Sequence, residues 1–483
     1  MYTTMKTIDS AVSKNIFLMF FENEDGLSPV QNEINKKFSN VILDNVMKNF
    51  DRKFLSSMVF PISSGEKIIA LGLGKKEEFT LDKLRETASK VSSLVKSDTI
   101  DTAAIELVDV EFDKKRLFAT TSIGVNMGNY KFDKYKTKKQ DLIKTLEIII
   151  NYNDILIQDG ENISNIVNSS MDFTKDLVFE SAEVMTPSKV AEIAKDMAEE
   201  LNLEIKVYDR EELKKMNFNA FLAVGQGSIQ EPKFIHIVYK GKNPKKKIAL
   251  IGKGITFDSG GLDIKPASSM LTMKTDMTGC ATVLGVIRAI AQLKPDIELH
   301  CMSALCENMP SGSSYKVGDV LISKSKKTIE VDNTDAEGRL TLADVLTYAD
   351  EINPDEVIDI ATLTGAVIVA LGNNITGIMG NNQEQIEEFK KSANETGEKV
   401  WQLPIYEDMQ ENLKSDIADM KNTGSRYAGS SVAGRFLQNF TKSKKWLHID
   451  IAGTAYIDKP YKEFQKGATA VMLRSLINYL LKN

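Results

Sequence analysis

The sequence predicts an α/β fold in two domains, and three observations lead there. Its 483 residues are enough for two domains and a large core. Short apolar runs alternate with longer stretches of helical periodicity in a βαβ rhythm. A helical stretch around Asn162–Phe179 separates two such regions and reads as a linker. The expected division is a domain over residues 1–150, a helical linker over 151–180 and a second domain over 181–483.

Ile16–Phe20, Ile68–Leu73 and Ile105–Val108 read as the first buried strands. The helix expected at Leu81–Val95 lies between the last two, with Thr80 as its N-cap. After the linker, Thr186 is placed to cap a helix whose first position is Pro187 and whose body is Val190–Leu201. Strands are expected at Ile205–Val207, Phe221–Val224, Phe234–Tyr239 and Ile248–Ile251. A long helix follows Thr278-Gly279 up to Leu293, a strand runs through Thr328–Val331, and a helix covers Leu342–Ile352. No fixed-period repeat or low-complexity tract interrupts this order.

Composition excludes several classes of function. A formal charge of −6 gives no basic surface for nucleic acid, and Lys245–Lys247 reads as a solvated loop. The apolar run Ile16–Phe21 is too short to span a bilayer and lacks the flanks of a signal peptide, so no membrane partner and a cytoplasmic location are expected. Cys280, Cys301 and Cys306 form no CxxC pair and suit a reduced compartment. His236 and His300 lie in apolar runs and His448 in a strand-like stretch, which disfavours Ser-His-Asp chemistry.

The chemistry is concentrated in two segments, Gly252-Lys-Gly-Ile-Thr-Phe-Asp-Ser-Gly-Gly-Leu-Asp-Ile-Lys265 and Val331-Asp-Asn-Thr-Asp-Ala-Glu-Gly-Arg-Leu340. Each follows a strand-like run, so its polar groups should sit where a strand gives way to a loop, the place where α/β sheets bind ligands. Taken singly, Lys265 or Asp276 reads as a solvated surface group. Jointly, Asp258, Asp276, Asp335 and Glu337 would repel one another in a core unless cations bind them. Oxygen ligands without His or Cys suit Mg, Mn or a carboxylate-bound Zn, and four carboxylates suffice to bridge two ions. The glycines of Gly252–Gly261 lack Walker spacing and fit a tight turn rather than a phosphate loop.

With these motifs the chain resembles the leucyl aminopeptidases of the cytosolic M17 family. Asn333-Thr-Asp-Ala-Glu-Gly-Arg-Leu340 matches that family's signature unaltered. Lys253–Gly261, Leu413–Asn422, His448–Thr454 and Gly467–Thr469 agree as well, so that the likeness covers roughly residues 170–480. Lys175–Glu183 departs from the family's pattern, and the departure bears on a hinge or subunit contact rather than on the reaction.

The resemblance implies a smaller macro-like N-terminal α/β domain and a larger catalytic α/β domain with a mixed central sheet flanked by helices. It implies that Asp258, Asp335 and Glu337 hold one divalent ion, Mn or Zn, and that Lys253, Asp258, Asp276 and Glu337 hold a second. Lys253 ligates only as a neutral amine, so its pKa must fall far below about 10.4. A hydroxide bridging the two ions attacks the peptide carbonyl, Lys265 stabilises the oxyanion, and Arg339 holds a bicarbonate that relays the proton. Met273, Thr362, Leu363, Gly365 and Ala452 are the substrate residues so implied, favouring leucine-like N-termini. The partners implied are peptides with a free N-terminus and further copies of the chain, in a homohexamer. The rivals are another two-metal hydrolase, such as a phosphatase or amidase, which would need neither Lys253 as a ligand nor a free substrate amine, and a DNA-binding or regulatory role, which would need a basic face in residues 1–150.

Overall fold

The computed structural model describes residues 1–482 apart from 23, 39, 43–46, 63–66, 96–100 and 151–154. The chain forms two compact units, residues 1–169 with 459–466, and residues 170–458 with 467–483. The segment 459–466 therefore belongs with the first unit although it lies late in the sequence.

In the first unit β1 (Tyr2–Lys6), β2 (Asn15–Phe21), β3 (Ser57–Pro61), β4 (Lys67–Gly74), β5 (Thr102–Glu106) and β6 (Thr145–Ile149) form one sheet in the order β1-β6-β5-β2-β4-β3. Every pair is parallel except β3 with β4. β2 and β4 are buried along almost their whole length, as a strand covered by helices on both faces must be. Thr80 caps the following helix by accepting a hydrogen bond from Lys83 N, as its position suggested. That helix is not continuous to Val95: Leu81–Ser89 ends at Lys90 and a separate turn, Val91–Leu94, follows. The helix Ile155–Phe179 then carries the chain into the second unit.

The second unit is built on β7 (Glu204–Tyr208), β8 (Lys233–Lys240), β9 (Lys247–Gly252), β10 (Gly254–Asp258) and β11 (Glu298–Asn308). A small sheet joins β12 (Val320–Ile322), β13 (Thr328–Glu330) and β17 (Met420–Lys421). The large sheet is completed by β14 (Glu356–Ala361), β15 (Thr376–Gly380), β16 (Val400–Gln402) and β18 (Trp446–Asp450), in the order β16-β15-β18-β14-β9-β11-β8-β7 with β10 paired to β11. Its centre is parallel and its flanks, β8 with β11 and β15 with β18, are antiparallel, the mixed sheet the resemblance implied.

Two elements correct the sequence reading. Phe221–Val224 is not a strand but part of a helix, Asn219–Val224. Every residue from Ala220 to Val224 is buried, and a run apolar on all sides carries no periodicity that separates strand from helix. The helix expected at Leu342–Ile352 begins five residues earlier, at Glu337, so Glu337 and Arg339 project from its first turn rather than from a loop.

The parallel centre is tied by a buried polar set. Asp359 on β14 accepts from Trp446 Nε1 at 2.7 Å and lies 2.5 Å from His448 Nδ1, both on neighbouring β18, and all three side chains are shut off from solvent. Burial opposes a charge on His448, but Asp359 outweighs it and raises the imidazole pKa. Replacing Asp359 with leucine would strand both donors in the core. The expected loss is about 3–5 kcal/mol of stability, read as a lower denaturant midpoint by circular dichroism.

Candidate metal centre

The ligand-bearing segments come together at the carboxyl ends of the central strands. Lys253 directly follows β9, which pairs with β14 and β11. Asp258 ends β10. Asp276 closes the short turn Met273–Thr275 before the helix Thr278–Leu293, and Asp335 and Glu337 lie just before and at the start of the helix Glu337–Glu351. Strand ends fix the first two and a helix start fixes Glu337, so the separate motifs converge because the sheet brings its strand ends side by side.

The cluster holds four carboxylates and two ammonium groups. Lys253 Nζ lies 2.8 Å from Asp276 Oδ1 and 2.7 Å from Glu337 Oε1, and donates to Thr362 O at 3.1 Å. Lys265 Nζ lies 2.8 Å from Asp258 Oδ2 and 2.5 Å from Asp335 Oδ1. Oxygens of Asp258, Asp335 and Glu337 lie within 4.8 Å of one another, close enough to share one cation. Asp276 Oδ2 and Glu337 Oε2 are buried without a hydrogen-bond partner. Two carboxylate charges remain uncompensated by the lysines, and oxygen donors left unpaired in a core are costly. An all-oxygen set of this charge fits divalent cations.

Protonation follows from the same crowding. Burial and the charge on Glu337 push Asp258 up to about 6. Burial raises Asp276 well above the carboxylate range despite Lys253, and raises Asp335 as well. Burial opposes the charge on Glu337 too, but Lys253 and Lys265 outweigh it and lower its pKa. Lys253 is held above the ordinary lysine range because Asp276, Glu337 and Asp258 overcome its desolvation, and Lys265 likewise through Asp258 and Glu337.

Several supporting residues went unnoticed in the sequence. Asn308, at the end of β11, donates its amide to Asp258 Oδ1 at 2.9 Å and to Thr334 O at 3.0 Å, linking the two motif segments. Asp263 accepts from Thr334 N at 2.7 Å, and Thr334 Oγ1 donates to Gly260 O at 2.7 Å, so the loops are laced together. Gly260 and Gly261 have φ of +87° and +68°, a turn that L side chains rarely adopt. Asn422 accepts from Asp332 N and receives no charge, yet its carbonyl holds Arg339 Nη1 at 2.8 Å. Only their chemistry as amide and carboxylate side chains near strand ends marked these residues, and many others share it.

The five expected substrate residues fall in two groups. Leu363 and Gly365 line a cavity of about 460 Å³ together with Asp335, Arg339, Thr364 and Arg426, a volume suited to a small ligand. Met273, Thr362 and Ala452 are not on its walls. Thr362 Oγ1 donates to Asp276 Oδ1 at 2.8 Å, and Ala452 N donates to Asp450 Oδ1 at 3.2 Å. Asp450, unnoticed before, also accepts from Leu363 N and Thr364 Oγ1, so one buried carboxylate positions that wall. Inside the cavity, burial lowers the Arg339 guanidinium to about 10, which leaves it charged at neutral pH.

Four carboxylates gathered from one strand end and two helix starts beside a mixed α/β sheet suit the class of metal-dependent hydrolases. Comparison gives the family. A model described as the cytosol aminopeptidase family catalytic domain matches residues 172–477, and one for the N-terminal domain of the same family matches residues 20–139. A "Probable cytosol aminopeptidase" of Aquifex aeolicus is 44% identical over 87% of this chain and 85% of its own length. Another, of Sulfurihydrogenibium sp., is 40% identical over 99% and 97%. The solved structure "Bottromycin maturation enzyme BotP in complex with Mn" superposes with a TM-score of 0.87 at 26% identity, covering 98% of this chain and 99% of that one. The chain belongs to the cytosol aminopeptidase family, M17, and is a metal-dependent aminopeptidase. Among the described residues no helix is long and apolar enough to cross a membrane.

Gly338 lets Lys253 reach the cluster, since a Cβ there would lie 2.4 Å from Lys253 Cε. Gly338→Ala is expected to leave the fold intact, because the displaced atoms are the far end of one side chain. Metal affinity should fall about 10–100-fold, measured by calorimetric titration of Mn²⁺ into metal-stripped protein.

Proposed function

We propose that this chain removes N-terminal residues, leucine and similar apolar ones preferred, from peptides with a free α-amine. The observation that carries the reading is the set of buried Lys253, Asp258, Asp276 and Glu337 with half-buried Asp335, whose carboxylates exceed its ammonium groups. Asp258, Asp335 and Glu337 would hold one divalent ion and Lys253, Asp258, Asp276 and Glu337 a second, with Mn²⁺ or Zn²⁺ as the candidates; the Mn named with the BotP structure favours the former. Such ions, when bound, acidify water and polarise a carbonyl.

The chain's own groups do the rest. Lys265 keeps its proton and presents an ammonium beside Asp258 and Asp335, where negative charge develops on the carbonyl oxygen. Arg339 Nε is buried without a hydrogen-bond partner while Nη1 is held by Asn422 O, an arrangement suited to a small anion, and bicarbonate is the proton acceptor we assign to it. Thr362 orients Asp276, the carboxylate nearest the expected α-ammonium, and Met273 sits one turn before it. A homohexamer is the assembly we infer from the resemblance, with exposed Val369, Trp401 and Tyr406 available to contacts between copies.

Metal-stripped protein given back Mn²⁺ or Zn²⁺ should cleave a leucine chromogenic amide and leave its N-acetylated form intact. Asp335→Ala should reduce turnover more than about 100-fold, beyond the usual effect of an outer ligand. Cleavage of both substrates alike, or of neither, would overturn the reading.

Lys253 gives a second test. Its pKa is raised in the protein without ions, so ligation by its neutral amine must expel a proton at every pH below that raised value. Asp258 adds a second proton only below its own value of about 6. Metal affinity should therefore rise with pH, with at least one proton released at pH 8 and more below pH 6. Titration calorimetry in buffers of different ionisation enthalpy counts those protons, and Lys253→Ala should lower the count at pH 8 by about one.

A further inference from the structure

We propose that Arg426 reads the free α-carboxylate of short peptides, which favours them over the same peptides with an amidated C-terminus. The inference rests on the aminopeptidase reading and adds a residue that the sequence motifs did not single out.

The cavity of about 460 Å³ is electrically two-ended. One wall carries Asp335 of the carboxylate cluster, and the segment Thr423–Gly429 supplies another, with Arg426 on it. Arg426 is exposed and has no ion-pair partner among the described residues; its guanidinium lies 5.8 Å from the centre of the Tyr427 ring. The other charges on the walls have a partner or an assigned ligand. Asp332 accepts from Thr423 Oγ1 at 2.9 Å and pairs with Lys421 at 3.3 Å, and Arg339 donates to Asn422 O and keeps its unpartnered Nε for the bicarbonate assigned above. Arg426 is thus the cation of this cavity left to meet a ligand at its mouth.

The loop that bears it is fixed at its far end. Ala428 adopts φ of +51°, and the helix Gly429–Gln438 begins immediately after, with Ser430 Oγ 2.8 Å from Thr364 Oγ1. That hydroxyl pair joins the Arg426 segment to the segment carrying Leu363 and Gly365. A short peptide is a zwitterion whose ammonium belongs at the acidic end and whose carboxylate is then carried toward the other. A planar guanidinium offers two parallel N–H donors to such a carboxylate. A C-terminal amide or a chromogenic amide presents no carboxylate and gains nothing from Arg426.

The test is steady-state kinetics of the metal-loaded full chain on Leu-Gly, on Leu-Gly amide and on a leucine chromogenic amide, for the unaltered protein, Arg426→Gln and Arg426→Lys. For Arg426→Gln the expected result is a KM for Leu-Gly raised about fivefold, the upper end for an exposed ion pair. Its kcat should stay within about twofold, and both amides should be unaffected. Arg426→Lys should recover part of the loss, since it keeps the charge and gives up the fork. An equal loss on all three substrates would make Arg426 a prop for the loop and overturn the proposal. Unchanged kinetics on all three would overturn it as well. Failure of the unaltered protein to cleave any of them would overturn the aminopeptidase reading itself, and this inference with it.

Discussion

Four carboxylates confined to one buried cluster form the constraint on which the catalytic unit depends. Like charges at these separations repel, and burial removes the water that would screen them. Lys253 and Lys265 each bridge two of the acids, so each ammonium already occupies a position suited to a cation. Two negative charges still remain, together with buried carboxylate oxygens that accept no hydrogen bond. The surrounding architecture keeps this costly arrangement from relaxing. Strand ends hold Lys253 and Asp258, a helix start holds Glu337, and Asn308 and Thr334 lace the loops between them. A less rigid frame would let the acids move apart toward solvent, and the affinity for divalent ions would go with them.

The two lysines look alike in sequence and differ in consequence. Lys253 is buried against Gly338, with Asp276 and Glu337 around its Nζ, and in the ligand set proposed above it would serve only as a neutral amine. Lys265 is less buried and faces Asp258 and Asp335 from the loop side, where keeping its charge is an advantage. Neither lysine tends to lose its proton while the acids stand alone, because those acids raise both. Only further positive charge reverses that preference, and it does so first for the lysine with the least access to water. With the ligand set proposed above, metal loading and the protonation of Lys253 are one equilibrium.

Much of this was legible in the sequence, for identifiable reasons. The strands β2, β4, β8 and β9 announced themselves as short apolar runs, and Thr80 and Thr186 as caps, because each depends on neighbours within a few residues. The run Phe221–Val224 misled because burial on every side erases periodicity, and the start of the helix at Glu337 was hidden because Ala336, its N-cap residue, provides no capping side chain. Asp258, Asp335 and Glu337 stood out since no ordinary core explains such acids in apolar surroundings. Asn308, Asn422 and Asp450 did not, because an amide or carboxylate acquires its role only from residues far away in the chain. Asp450 contacts Leu363 and Thr364 from 86–87 positions distant, and no local pattern encodes that meeting.

Asp450 also separates what is fixed in this centre from what is free to vary. The metal-binding acids are carried by strand ends and a helix start, whereas the cavity wall of Leu363–Gly365 is backbone held by a single buried carboxylate that also receives Ala452 N and Thr364 Oγ1. Backbone contacts are indifferent to the side chain a substrate brings. An apolar pocket distinguishes one methylene by only about 1–3 kcal/mol, so under the function proposed above a wall of this kind would allow a range of N-terminal residues while the reacting groups stay in register. Discrimination must come from charged groups, where an unmatched partner is costly. The acidic cluster is one such group, and it demands an amine. The cation of the same cavity is the other, and it favours a peptide that ends in a free carboxylate.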